Sequence, residues 1–112
     1  MKRIIIKLSG YTIAILLLIV LPSIDAYCVS TTEREALIAI YNSAGGSNWT
    51  NNEGWLGDVG TECTWHGVGC ENNNLTSLAL DNNNLTGSIP PEIGSLINLN
   101  DIYLDHNELA GS

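Results

Sequence analysis

Residues 75–90, LTSLALDNNNLTGSIP, and residues 99–111, LNDIYLDHNELAG, are two copies of one pattern with matching positions 24 residues apart. Leu75, Leu78, Leu80, Asn83, Leu85 and Gly87 align with Leu99, Ile102, Leu104, Asn107, Leu109 and Gly111. Leu78 and Leu80 alternate as the inward residues of a short strand, because successive strand side chains point to opposite faces. Asn83 and Asn107 sit where the chain leaves each strand. Their amides can bond the backbone of the tight turn and stack into a ladder. Gly87 and Ile89-Pro90 turn the chain on the outer side, and Glu92 to Leu96 begin the return with Ile93 and Leu96 facing the core. No single helical or strand period accounts for residues 75–111 as well.

Upstream of the repeat the period changes. Leu37, Ile40, Tyr41 and Ala44 keep the i, i+3, i+4, i+7 spacing of one buried helix face. Thr32 and Glu35 fit a capping box, in which each side chain satisfies a free N–H of the first turn. Gly45-Gly46 stops the helix, so the spacing predicts a helix over residues 32–44. Residues 45–62 read as loop. Trp49, Trp55 and Trp65 fall in or beside it and are expected to seal a small core against the helix. The alternative for an exposed indole is stacking on a sugar.

The first 26 residues read as an address. Lys2, Arg3 and Lys7 precede the apolar run Ile13–Leu21; Pro22 and Ser23 break it, and Ala26 offers a small residue for cleavage. This order is that of a secretory signal peptide, with cleavage expected after Ala26. An uncleaved anchor is the alternative, although the run falls short of the about 20 residues a spanning helix needs. Tyr27 is too bulky for a lipoprotein site before Cys28. The expected location is secreted, extracellular, or at the cell surface or envelope as part of a longer chain.

Export favours disulfides. Cys63 and Cys70 are close in sequence and form the natural pair, leaving Cys28 free or bridging to another chain. The rival reading adds His66 to make Cys-x-x-His-x-x-x-Cys, a zinc-like set with only three ligands. Residues 27–112 hold one base, Arg34, against eleven acids, a formal charge of −10. A surface so depleted of Lys and Arg argues against nucleic acid and against a polybasic membrane patch. Asn48-Trp-Thr, Asn74-Leu-Thr and Asn84-Leu-Thr are three sequons for N-glycosylation in a host with the machinery.

A fixed period of 20–29 residues with L-x-x-L-x-L-x-x-N marks a leucine-rich repeat. With Leu85-x-Gly87-x-Ile89-Pro90, the chain resembles the plant-type leucine-rich repeat proteins. Ala36–Tyr41, Trp49-Thr50, Gly54-Trp55-Leu56 and Cys63-x-Trp65-x-Gly67-Val68-x-Cys70 resemble their N-terminal cap. The resemblance implies an α/β solenoid, with a helical cap followed by one and a half to two repeats and a short parallel sheet. The domains expected are a signal peptide over residues 1–26, a cap over 27–74 and repeats over 75–112, the first over 75–98 and an incomplete second over 99–112. It also implies ligand binding without catalysis, as in receptor-kinase ectodomains and polygalacturonase-inhibiting proteins. Some relatives pair an early cysteine like Cys28 with an extra one just before the Cys63 position; here Glu62 stands there.

In such a repeat the residues flanking the inward leucines face the concave side. These are Ser77, Ala79, Asp81 and Asn82, then Asp101, Tyr103, Asp105 and His106. Stacking at a strand spacing of about 4.8 Å sets Asp81 beside Asp105 and Ser77 beside Asp101. Neighbouring carboxylates invite a cation, so the expected partner is a basic or carbohydrate-bearing protein or peptide, with weakly held calcium as a variant. The bland alternative is a solvated charge cluster. No catalytic set, cofactor loop or complete metal-ligand set is present, and His106 is expected to splay away from Asp105. Because roughly three or more repeats are usually needed to bury their leucines, the reading favours a fragment of a longer recognition protein. The competing reading is a self-contained secreted structural, adhesion or inhibitor module that forms a homodimer through its open edge.

Overall fold

The computed structural model of the chain describes residues 2–8, 11–17 and 29–110. Strands β1 (Lys2–Leu8) and β2 (Tyr11–Leu17) pair antiparallel, with Ile5 opposite Ala14. Part of the apolar run assigned to the signal peptide is therefore strand. The expected cleavage point after Ala26 and the fate of Cys28 lie outside the described residues. Among the described residues no helix is long and apolar enough to cross a membrane.

Helix α1 runs Thr31–Ser43. Its capping box is formed by Ser30 and Glu33, two residues before the Thr32 and Glu35 read from the sequence. The reason is tertiary. Glu33 accepts from Ser30 N at 3.1 Å with one oxygen, while its other oxygen accepts from Leu75 N at 2.7 Å. A carboxylate that serves two partners at once fixes which residue caps the helix. Thr32 and Glu35 remain exposed.

The remaining strands are β3 (Val68–Glu71), β4 (Asn74–Ala79) and β5 (Asp101–Tyr103), in the order β3-β4-β5. Strands β4 and β5 are parallel, with Ser77 against Asp101, Leu78 against Ile102 and Ala79 against Tyr103. The 24-residue offset is thus the register of the pair. β3 corrects the expectation of a purely parallel sheet, because it pairs antiparallel with β4. Asn72 and Asn73 make the connection, with φ of 50° and 64°. Two left-handed residues between antiparallel strands suit their natural twist, and asparagine tolerates that region well. Gly69 lies opposite Ser77, and any Cβ there would collide with the Ser77 hydroxyl.

The core joins the helix, the indoles and the leucines. Ala36, Leu37, Ile40 and Ala44 of α1 pack in one cluster with Trp49, Trp55, Trp65, Leu75, Leu78, Leu80, Leu85 and Leu96. Trp49 and Trp55 meet edge to face at 4.9 Å, and Trp55 and Trp65 lie 5.2 Å apart. Each indole N–H is satisfied: Trp49 donates to Ala44 O, Trp55 to His66 O and Trp65 to Thr61 Oγ1. All three rings are buried, so the sugar-stacking alternative is set aside. Cys63 and Cys70 form a disulfide, which withdraws both thiolates from the zinc-like reading with His66.

Arg34, the single base beyond residue 26, answers a charge that the sequence does not flag. Glu62 is fully buried and takes the Arg34 guanidinium at 2.7 Å. Arg34 also donates to Gly57 O at 2.8 Å and lies 5.2 Å over the Trp65 ring. Gly60 N donates to the other Glu62 oxygen at 2.9 Å. Removing one partner of such a pair strands a desolvated charge, at a typical cost of about 3–5 kcal/mol. Arg34→Ala is therefore expected to destabilise by about that amount, whereas Arg34→Met with Glu62→Leu regains most of the loss. Urea denaturation midpoints measure both, and an Arg34→Ala curve overlying the parent would remove the pair from the account.

Candidate functional site

The sheet face flanking the buried leucines is built by alternation and held by the turns that follow. Leu75, Leu78 and Leu80 are fully buried, while Asp81, Asn82, Asp101, Tyr103, Asp105 and His106 are exposed. Ser77 and Ala79, on the strand between β3 and β5, are half-buried. Pairing continues past the strand ends: Leu80 N donates to Tyr103 O at 2.8 Å, and Asn82 N to Asp105 O at 3.0 Å. The structure thus brings all eight predicted residues onto two adjacent rungs. Asp81 and Asp105 occupy equivalent positions in this register.

Asparagine side chains fix the turns. Asn107 Oδ1 accepts from Asn83 N and Leu85 N, each at 2.9 Å. Its Nδ2 donates to Leu80 O at 2.8 Å and Leu104 O at 2.9 Å. Asn83 makes the equivalent exchange with the cap, accepting from Asn51 N at 2.6 Å and donating to Asn51 O at 2.9 Å. The ladder expected of Asn83 and Asn107 therefore has an additional step, the backbone of Asn51. Asn82 and His106, again 24 apart, adopt the same left-handed backbone, with φ of 51° and 56°.

That backbone accounts for one departure from expectation. His106 does not splay from Asp105; its Nδ1 lies 2.7 Å from Asp105 Oδ2. A left-handed residue swings its side chain back toward its predecessor, which the strand alternation used above ignores. Both groups are open to solvent, at 71% and 61% side-chain exposure, so they are available to a ligand. Tyr103 is 52% exposed and stands between Asp101 and Asp105 along the chain. A phenol ring flanked by carboxylates can bind a guanidinium or ammonium group through the ring face and by charge-assisted hydrogen bonds together. Among the described residues no three His, Cys, Asp or Glu side chains are grouped to hold a metal ion.

The outer turns lock the rungs to the cap. Thr86 N donates to Ala44 O at 3.0 Å, Glu108 N to Leu85 O at 2.8 Å and Ala110 N to Gly87 O at 2.6 Å. Gly87 has φ of 71° and lies so close to Ser43 O that a Cβ would overlap it. The glycine of the repeat is thus required both by backbone angle and by contact with the helix end.

The Leucine Rich Repeat family profile matches residues 74–96, which contain β4, the asparagine turn and the return to Leu96. A receptor-like kinase of Arabidopsis thaliana is 30% identical over 101 residues, covering 88% of this chain and 10% of that protein. A probable inactive receptor kinase of the same plant is 34% identical over 106 residues, covering 94% of this chain and 15% of its own length. A nodulation receptor kinase of Pisum sativum is 35% identical over 63 residues, covering 53% of this chain and 7% of its own length. The chain spans about a tenth to a seventh of the length of the first two of these curated relatives.

Asn107→Ala is expected to leave the Asn83 and Leu85 N–H groups without partners. An unsatisfied donor costs about 1–3 kcal/mol, so the loss should exceed that for Asn100→Ala, whose side chain is exposed. Amide hydrogen exchange should quicken at Asn83 and Leu85 first. Unchanged protection at both positions would show that the ladder does not hold the turn.

Proposed function

Because the chain belongs to the plant-type leucine-rich repeat proteins, we propose that it is a non-enzymatic module that binds a protein or peptide ligand outside the cell. In this reading its rungs begin a solenoid whose concave face carries Ser77, Ala79, Asp81, Asn82, Asp101, Tyr103, Asp105 and His106. The observation that carries it is the β4–β5 register, which aligns these residues laterally while burying the leucines between them. The partner's chemistry follows from charge. Three aspartates and a half-exposed tyrosine share the face, and residues 27–112 carry Arg34 alone as a base. That base is spent on Glu62. An extended ligand segment with Lys or Arg is the complement, with arginine favoured because it can stack on Tyr103 and bond a carboxylate at once.

Two of the relatives reported above are named as receptor kinases, and their similarity to this chain extends over the cap and the repeat. Recognition by an extracellular module is the reading that similarity supports. A second reading, pairing of two copies along β5, is favoured by the exposure of Ile102 and Tyr103, at 40% and 52%. Asp101 and Asp105 flank the same edge and oppose it, since like charges brought together across two strands repel. Sedimentation at high and low salt separates the two readings.

A library of extended peptides displayed against the protein should enrich Arg-containing sequences. Replacing both Asp81 and Asp105 by Lys is expected to weaken the selected peptides at least tenfold, about 1.4 kcal/mol. Tyr103→Ala should reduce preference for Arg over Lys, and added salt should weaken binding because the face is exposed. Affinity unchanged by the double reversal would discard the acidic face as the site.

A further inference from the structure

Asn82 and His106 hold the same place on successive rungs and the same left-handed backbone, with φ of 51° and 56°. On the first rung asparagine meets that backbone requirement with a neutral side chain. The second rung meets it with a side chain that also titrates. The His106 ring is turned onto its neighbour, with Nδ1 2.7 Å from Asp105 Oδ2. An ionised carboxylate only accepts, so Nδ1 carries the hydrogen and Nε2 is left to take a second proton. The side chain is 71% exposed, so a proton reaches the ring from water without any rearrangement.

Histidine is the side chain whose charge ordinarily changes between about pH 5 and about pH 8. The chain has two, His66 and His106. His66 is half-buried in the cap, where its backbone N–H donates to Glu53 O at 2.9 Å. His106 lies among the acids of the two rungs. The other titratable groups there are Asp81 on the preceding rung, Asp101 and Tyr103 of β5, Asp105 and Glu108, none of them a base. The cap reaches these turns through Asn51, which is uncharged. We propose that His106 sets the charge of this face, so that protonation of its ring releases a cationic ligand segment. This control rests on the binding reading given above and adds its regulation. With a neutral ring the Asp105–His106 pair carries one negative charge; with a protonated ring it carries none. One of the aspartate charges of the face is then cancelled, and a guanidinium bound beside it meets a like charge. By linkage, a bound cation in turn makes the ring harder to protonate. Affinity is therefore full where the ring is neutral and declines as the pH falls.

The probe is acetyl-Gly-Arg-Gly-Arg-Gly-amide, whose guanidinium groups stay charged throughout, so any pH profile belongs to the protein. Its affinity for the full chain is expected to fall about two- to fivefold between about pH 7.5 and about pH 5.5. H106N places the first-rung residue on the second rung and keeps the left-handed backbone; it should bind as tightly at the lower pH as at the higher. H66Q should retain the parent profile. Chemical-shift titration of the His106 ring, done without peptide, should give a lower midpoint in D105N than in the parent, because the carboxylate that favours the charged ring is gone. A parent affinity that stays flat or rises on acidification overturns the control by His106. So does a fall that survives H106N, or a midpoint that D105N leaves unchanged. Absence of peptide binding at both pH values is a different failure: it discards the acidic face as a binding site, and the control with it.

Discussion

A chain that turns sharply after every short strand removes backbone N–H and C=O groups from the sheet without returning them to water. Buried groups of this kind must find partners. Here the side chain of Asn107 serves four backbone groups, two N–H and two C=O, at 2.8–2.9 Å. Asn83 does the same work against Asn51 and is itself 98% hidden from solvent. Leucines drive the collapse, but amides decide where the chain bends. Without them the inward leucines would have no fixed register, and the residues between them would share no face.

The cap solves a complementary problem. A first rung has no earlier rung to cover it, so α1 and three indoles take that place. Two acidic residues tie this lid to the rungs and to itself. Glu33 closes the helix start and holds Leu75 N; Glu62 gathers the loop around Arg34. The resemblance implies that some relatives carry a cysteine at the position of Glu62. Here a buried ion pair with backbone hydrogen bonds stands in that place, a link that depends on desolvation where a disulfide depends on oxidation.

Much of this was legible in the residues. The 24-residue offset gave the β4–β5 register, the alternation gave the buried leucines, and the spacing of Cys63 and Cys70 gave their bridge. Three things were not. The cap box lies at Ser30 and Glu33 because Glu33 has a second partner 42 residues away, which no local pattern encodes. The buried Glu62 was hidden because charge arithmetic treats acids as surface; the solitary Arg34 was the clue. Strand β3 lies outside the 24-residue repeat that carries the sequence reading, although two asparagines between short strands are a hairpin signal. At the candidate face, positions were readable and side-chain directions were not, since His106 is swung toward Asp105 by a left-handed backbone.

The antiparallel strand β3 gives the sheet a built-in origin. A parallel ribbon can in principle be lengthened at either side, because each side presents the same pattern of slanted donors and acceptors. With β3 doubled back on β4 and bolted to the cap through Cys63–Cys70, the two flanks become chemically unlike. A strand of the repeating kind added beside β5 continues the parallel 24-residue register, whereas β3 ends the described sheet on the cap side. The molecule is therefore a seed with a direction, and whatever is added to it must be added in order.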